Sequence, residues 1–186
     1  MEIYTNKSTY RSLLKRVNRP GIDELLEWLD TTDFYEAPAS TKYHLAIRGG
    51  LCRHSLDVYS EMQRLIKAYP EVSLPEESVI IVSLLHDLCK ANFYTVEMRN
   101  TKVDGQWVQV PYYSVSEKLV YGSHGPKSTY LIMSHMALTA DEAIAVSNHM
   151  GGFAESPQGA ANAYKECPLG WLLHVADESA TYIVEK

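Results

Sequence analysis

The sequence contains no long apolar run. No stretch approaches the roughly 18 consecutive apolar residues that are typical of a membrane-spanning helix, and the N-terminal residues Met1 to Lys7 lack the apolar segment of a signal peptide. We therefore expect a protein that does not cross a membrane and that resides in the cytoplasm.

Cysteine is also scarce. The three cysteines, Cys52, Cys89 and Cys167, are odd in number and have no C-x-x-C spacing. This pattern argues against a disulfide framework and against a zinc site built from thiolates. We expect all three to be buried free thiols, the commonest state of an unpaired cysteine.

Positive charge is not in excess, because the formal net charge is −6. That balance disfavours a general nucleic-acid coat or a polybasic membrane binder. One local exception is the stretch 37–56, which has no Asp or Glu but carries Lys42, Arg48 and Arg53 close to His44 and His54. A small cationic patch of this kind suits a phosphate-bearing substrate better than a long polyanion.

Helical periodicity dominates the rest of the chain, and 186 residues fit a single domain. Apolar residues recur three or four positions apart in several stretches, and capping residues mark many of their ends. We predict helices at 10–17, 22–29, 51–69, from about 76 to the pair His86-Asp87, from 124 onwards, at 139–150 and from 168 onwards. The segment 152–167 is interpreted as a polar loop.

Two β-like segments interrupt the helices. Residues 93–98 and 107–115 are rich in aromatic and branched side chains, and Asp104-Gly105 between them is typical of a tight turn. We therefore predict an all-α fold, a helical bundle with a small β-hairpin insertion at about residues 93–115. The hairpin can be a lid or a substrate wall, and an insertion without a role in the site fits the residues equally well.

The chemically most informative stretch is Leu84 to Lys90. His86 and Asp87 stand side by side at the end of an apolar run, and Lys90 follows one helical turn after His86. Burying an imidazole and a carboxylate costs several kcal/mol unless a partner compensates them. Metal coordination is one such compensation, and it requires further ligands elsewhere in the chain.

Further candidates occur at the ends or on the apolar faces of predicted helices. With the first pair they form a set of four imidazoles and two carboxylates: His54, His86, Asp87, His124, His149 and Asp177. Singly, each has a simple structural explanation; His54 fits a core residue, and His149 fits a surface group at a helix C-terminus. Together they suit one or two divalent transition-metal ions (Mn, Fe, Co, Ni or Zn) better than Ca or Mg.

The order His … His-Asp … Asp resembles that of the HD superfamily of metal-dependent phosphohydrolases. The resemblance is closest to the HD domain of YhaM-type 3′–5′ exoribonucleases and to small stand-alone HD hydrolases of phage and prophage type. It covers about residues 35–182. The matching segments are Pro38-Ala39-Ser40, Tyr43 to Ala46, Gly49 to His54, His86 to Lys90, Gly122-Ser123-His124, Ser147 to Gly151, Ser156-Pro157 and His174 to Asp177.

The resemblance implies a single HD domain with an N-terminal helical extension (1–34) and an HD core (35–182). It implies a first metal held by His54, His86, Asp87 and Asp177. Asp87 would bridge to a second metal that is also held by His124 and His149. Cys89 stands where the exoribonucleases have a glycine.

Other polar residues are candidates for contacts with the substrate. Lys90 is expected to stabilise the charge that develops on a phosphoryl group. Arg48, Arg53 and Lys127 are candidates for phosphate contacts, and each fits an ordinary surface charge equally well. His44 either lines the site or belongs to the core.

Three functions follow as hypotheses. The first is a metal-dependent phosphohydrolase that cleaves a phosphoester bond of a nucleotide with metal-activated water. The second is a 3′–5′ exonuclease on single-stranded RNA or DNA, in which hairpin aromatics stack on bases: Tyr94, Trp107, Tyr112 and Tyr113. The third is a non-catalytic, metal-stabilised nucleotide-binding module.

Overall fold

The computed structural model describes residues 2–115, 123–154 and 156–186. The described chain is mostly helical, with one two-stranded antiparallel sheet. Its helices are α1 (Glu2–Leu14), α2 (Ile22–Asp30), α3 (Gly50–Ala68), α4 (Glu76–Leu85), α5 (His124–Met133), α6 (Ala140–Asn148), α7 (Pro157–Glu166) and α8 (Pro168–Ser179). The strands are β1 (Tyr94–Val103) and β2 (Gln106–Val115). This architecture agrees with the predicted all-α fold and its hairpin insertion.

Helix α4 is the centre of the hydrophobic core. Every residue from Ser78 to Leu85 is buried, so the helix is covered on all sides, as its continuous apolar sequence predicts. It packs against α1, α3, α6 and α8. The pair His86-Asp87 therefore follows directly after the buried part of this helix.

The N-terminal helices belong to the same core. The Tyr10 hydroxyl, fully buried on α1, donates a hydrogen bond of 2.8 Å to the carbonyl of Leu84 on α4. Helix α1 starts at Glu2, earlier than the predicted Tyr10. Its first turns are mostly polar and exposed, so they carry no apolar stripe by which a sequence pattern would detect them.

The β-hairpin forms as predicted and projects from the helical core. Its strands pair from Tyr94–Val115 to Val103–Gln106, and Asp104 and Gly105 both have positive φ, 50° and 83°. Such a pair of left-handed residues matches the right-handed twist of the flanking strands. Most of its side chains are exposed.

The segment 152–167 was wrongly predicted to be a loop. It contains a short 3₁₀ turn (Gly151–Phe153) and helix α7, which begins with Ser156 as its N-cap and Pro157 in its first turn. The Ser156 hydroxyl accepts a hydrogen bond from the backbone N–H of Gly159 at 3.1 Å. Helix α7 buries only Ala160, so the sequence has no apolar stripe at this place.

The end of the chain also differs from the expectation. Helix α8 stops at Ser179 and continues as a π-helical turn, Ala180–Val184. Ile183, within this turn, is 70% exposed. The wider turn rotates the last residues towards α3, with which the turn is in contact.

The cysteines and the apolar character of the helices were also predicted from the sequence. All three cysteines are buried and free, as expected. Within the described ranges no helix combines the length and the apolar character needed to span a membrane.

Candidate metal centre

Four helices deliver the candidate ligands to one place. His54 lies on α3, His86 and Asp87 follow α4, His149 follows α6, and Asp177 lies on α8. Adjacent residues on a regular helix point about 100° apart. Helix α4 ends at Leu85, however, and Asp87 has φ −104° and ψ 23°, so its side chain leaves the helical path and joins that of His86.

The first group consists of His54, His86 and Asp177, whose ligand atoms all lie within 4.8 Å of one another. His54 Nε2 is 3.1 Å from Asp177 Oδ1 and 3.3 Å from His86 Nε2. Ligand atoms that share one zinc-like ion at about 2.1 Å are about 3.0–3.4 Å apart. Both histidines are buried, with 1% and 0% of the residue exposed. The third pair, His86 Nε2 and Asp177 Oδ1, is 4.0 Å apart. The group has the donor types of a metal site, and two of its three distances match the spacing around one ion.

The second and third groups share Asp87. One combines it with His86 and His149, and the other with Cys89 and His124. His149 Nε2 is 3.7 Å from Asp87 Oδ1, and both atoms are buried without a hydrogen-bond partner among the described residues. Unpaired buried polar atoms are rare because they lose their hydration. An ion between them would satisfy both.

Hydrogen bonds to backbone carbonyls orient two of the rings. His86 Nδ1 is 2.9 Å from the carbonyl oxygen of Ser83, and His149 Nδ1 is 2.8 Å from that of Val146. A carbonyl only accepts, so Nδ1 of each ring carries the proton and Nε2 is left as the electron-pair donor. Both Nε2 atoms point into the cluster. Metal-binding histidines are commonly held in this way.

Glu185 orients the third ring, a role that no sequence pattern indicates. Its Oε1 lies 2.8 Å from His54 Nδ1, and its side chain has no exposed surface. A carboxylate in this position holds the proton on Nδ1 and directs Nε2 towards His86 and Asp177. The Nε2 atoms of His54 and His86 thus face each other at 3.3 Å, an arrangement that needs a cation or a proton between them.

Lys90 compensates the charge of Asp87. Its Nζ lies 2.6 Å from Asp87 Oδ2 and 2.8 Å from the carbonyl oxygen of Ala39. The two residues are close because Leu88–Lys90 forms a 3₁₀ turn after α4. Burial alone would raise the pKa of Asp87, but Lys90 and the surrounding histidines lower it well below its usual value. Asp87 is therefore ionised at neutral pH.

The cluster favours positive charge at His54. Burial lowers the pKa of this ring, but hydrogen bonds that the ring donates to the carboxylates of Asp177 and Glu185 outweigh burial and raise the pKa to about 10. A divalent ion can take the place of this proton. Burial is the main reason why the pKa values of His44, His86 and His124 fall to about 4, which leaves these rings neutral and able to bind a metal.

Cys89 is the partner of His124. The Cys89 Sγ lies 3.3 Å from His124 Nδ1, and burial raises the pKa of the thiol to about 12. In the sequence, Cys89 is notable as a buried thiol and as the residue that stands where the exoribonucleases have a glycine. The structure places its sulfur in the same group as Asp87 and His124. Gly122, which belongs to the matching segment before His124, lies outside the described residues.

A cavity of about 710 Å³ opens above the cluster. Its polar lining includes two of the residues predicted to contact substrate, His44 and Lys90. The lining residues are Tyr43, His44, His54, Asp87, Lys90, His124, Met150, Phe153, Asp177, Glu178, Thr181, Tyr182, Glu185 and Lys186. The volume is in the range of small-molecule sites, about 300–1,000 Å³.

The other three candidates for phosphate contacts have other neighbours in the structure. Arg48 is mostly exposed and pairs with Glu36 at 2.8 Å. Arg53 pairs with Glu2 at 3.2 Å. Lys127 is buried, with its Nζ 5.5 Å from the centre of the Phe93 ring. Their contacts with a phosphate stay predictions.

Comparisons of this chain with protein-family models, with curated proteins and with solved structures found no match.

Proposed function

We propose that this chain is a metal-dependent phosphohydrolase of the HD type that cleaves a phosphoester bond of a nucleotide. The proposal depends most on one observation, the two ring nitrogens of His54 and His86 that face each other at 3.3 Å. The carboxylate of Glu185 orients the His54 ring, and the carbonyl of Ser83 orients the His86 ring. A catalytic cation between the rings is the simplest reason for keeping two electron-pair donors so close.

The residues suggest two overlapping positions for ions. His54, His86 and Asp177 would hold the first ion together with Asp87, whose Oδ2 is 3.5 Å from His86 Nε2. Asp87, His149 and His124 would hold a second. Imidazole and carboxylate donors suit Mn, Fe, Co, Ni or Zn. When bound, such ions lower the pKa of water to near neutrality and stabilise the oxygens of a phosphoryl group.

The chain's own residues would bind and orient the phosphate. Lys90 uses two of its ammonium hydrogens on Asp87 and the Ala39 carbonyl, and an ammonium group has three donors. Since Lys90 lines the cavity, its third donor would serve a phosphoryl oxygen. Burial of the cluster keeps competing bulk water away and strengthens these charge interactions.

Substitution of Asp87 tests this proposal. Asp87→Ala removes the residue shared by two ligand groups, so we expect loss of bound Mn²⁺ and of hydrolysis, while the far-ultraviolet circular dichroism keeps its helical form. Asp23→Ala, which removes an exposed carboxylate on α2, is the matched control and should change neither. A folded Asp87→Ala variant that still hydrolyses nucleotides would disprove the proposal.

One observation favours a 3′–5′ exonuclease as the second candidate. The Tyr94 hydroxyl at the base of the hairpin bonds to the Ala39 carbonyl at 3.2 Å, the same oxygen that Lys90 binds. The hairpin thus begins beside the cluster and extends outwards to Trp107, which is 72% exposed. Stepwise shortening of an end-labelled oligonucleotide would support this activity, and action on mononucleotides alone would exclude it.

Measurement of binding separates both enzymes from the third hypothesis, a non-catalytic module. Tight binding of a nucleotide without any product after long incubation with Mn²⁺ would identify such a module.

A further inference from the structure

Three aromatic side chains lie around the cavity and remain largely exposed. Tyr43, Phe153 and Tyr182 all line it, and 76%, 71% and 53% of these residues is exposed. Isolated exposed aromatic residues are ordinary on protein surfaces. Three that surround one concave site are unusual, because such a concentration of apolar surface commonly marks a binding region.

Each ring is carried by a segment that also carries a residue of the metal centre. Tyr43 directly precedes His44. Phe153 lies in the 3₁₀ turn that follows His149. Tyr182 lies in the π-helical turn, between Asp177 and Glu185 in the sequence. The position of each ring relative to the cluster is therefore set by short lengths of chain.

Local contacts hold two of these segments in place. The backbone N–H of Tyr43 donates to the Ser40 hydroxyl at 2.9 Å, and that hydroxyl donates to the His44 carbonyl at 2.7 Å. The Phe153 N–H donates to the Met150 carbonyl at 2.9 Å. In the same turn, Gly151 has φ 53°, and a Cβ there would lie 2.4 Å from the His174 ring. Only glycine allows this turn to pass so close to His174.

The cavity therefore has two chemically different parts. Its lining combines the histidine and carboxylate cluster and Lys90 with the three largely exposed aromatic side chains. A ligand that uses both parts carries anionic oxygens at one end and a flat, weakly polar group at the other. A phosphate ion or a sugar phosphate would leave the aromatic rim without a partner.

We propose that Tyr43, Phe153 and Tyr182 form a base-binding rim and that the substrate is a nucleotide whose base stacks on these rings. The inference deepens the proposed hydrolase function and rests on it. It assigns base recognition to the rim and not to the β-hairpin. On the hairpin, the Tyr112 hydroxyl is bonded to Glu97 at 2.7 Å and its ring lies against Arg99.

Binding of two matched probes tests this proposal. Titrations of the Mn²⁺-loaded protein would use the four nucleoside 5′-monophosphates and ribose 5-phosphate, which lacks only the base. We expect Tyr43→Ala, Phe153→Ala and Tyr182→Ala to raise the Kd for nucleotides by about fivefold or more, the weaker end of base–aromatic stacking, and to leave the Kd for ribose 5-phosphate unchanged. Tyr43→Phe and Phe153→Tyr should retain nucleotide affinity because they keep the ring.

The hairpin provides the comparison. Trp107→Ala should leave nucleotide binding unchanged. The assignment would be overturned if the rim substitutions weakened the binding of both probes equally or had no effect. It would also be overturned if Trp107→Ala alone weakened nucleotide binding. Binding and hydrolysis are separate readouts. Base stacking on the rim in a protein that hydrolyses nothing would reject the hydrolase and retain the rim, whereas hydrolysis of nucleotides that the three rim substitutions leave unchanged would do the reverse.

Discussion

Glu185 Oε1 lies 2.8 Å from Nδ1 of His54, although 131 positions separate the two residues in the sequence. The π-helical turn after α8 brings the carboxylate to α3, where it is completely buried. Its second oxygen, Oε2, has no hydrogen-bond partner among the described residues. A buried carboxylate with a single partner is costly unless the partner bears positive charge or binds a cation, which links the end of the chain to the metal centre.

Replacement of Glu185 by Gln should weaken metal binding without removing a ligand. Loss of an outer partner of a metal-binding histidine typically lowers affinity by about 10- to 100-fold, and we expect this range for Mn²⁺ or Zn²⁺ in a chelator competition assay. In the metal-free protein, nitrogen-15 NMR of the His54 ring should report a lower pKa than in the native chain, because the carboxylate of Glu185 is one of the groups that raise it.

Glu178→Gln is the control for that experiment. Glu178 also lines the cavity, and His54 is paired with Glu185 and Asp177 instead. Unchanged affinity in Glu185→Gln, or an equal loss in both variants, would contradict a specific orienting role.

Lys90→Met should separate phosphate stabilisation from metal binding. The substitution keeps the length of the side chain but removes the ammonium group that neutralises Asp87 at 2.6 Å. We expect metal content to be retained and kcat to fall by about 10²- to 10³-fold, the usual effect of losing one donor to a developing anion. Turnover and elemental analysis of the same preparation would show this; loss of metal together with activity would instead assign Lys90 to the structure of the site.

A buried ion pair remote from the cluster predicts how stability depends on pH. Glu142 on α6 has a side chain with no exposed surface, and its carboxylate accepts hydrogen bonds from Arg19 at 2.6 and 2.7 Å. Ser78 donates a further bond at 2.7 Å. Burial alone would raise the pKa of Glu142, but Arg19 and Ser78 lower it below its usual 4.5.

Because this pKa is lowered on folding, the stabilisation is fully present above about pH 4.5 and is lost as the pH falls through the folded-state pKa. Glu142→Gln should therefore cost about 3 kcal/mol at pH 7, as when a buried ion pair loses one member. Urea unfolding at several pH values would measure it. The difference between the variant and the native chain should shrink towards pH 3; a difference that is constant with pH would contradict the assignment.

The sequence predicted the members of the buried cluster better than it predicted the chain around them. His54, His86, Asp87, His149 and Asp177 could be recognised because each combines an ionisable group with an apolar face or a helix end, and the structure brings all five together. Their convergence follows from the packing of α3, α4, α6 and α8 around one core.

The features that were missed depend on contacts that no local pattern records. Glu185 is one acidic residue in a polar end of the chain, and only the π-helical turn gives it a role. Helix α7 buries a single alanine, so periodicity cannot reveal it. The hairpin is rich in aromatic residues, so the sequence predicts base contacts there. The exposed rings at the cavity come from three segments that are distant in the sequence, and no local pattern connects them.

The metal stoichiometry of the protein decides whether the buried cluster holds divalent metal. The protein would be stripped with a chelator, reloaded with Mn²⁺ or Zn²⁺ and dialysed. Elemental analysis should then find one or two ions per native chain and fewer in His54→Ala. If the folded native chain retained no ion above the level of the dialysis buffer, the cluster would not be a metal site.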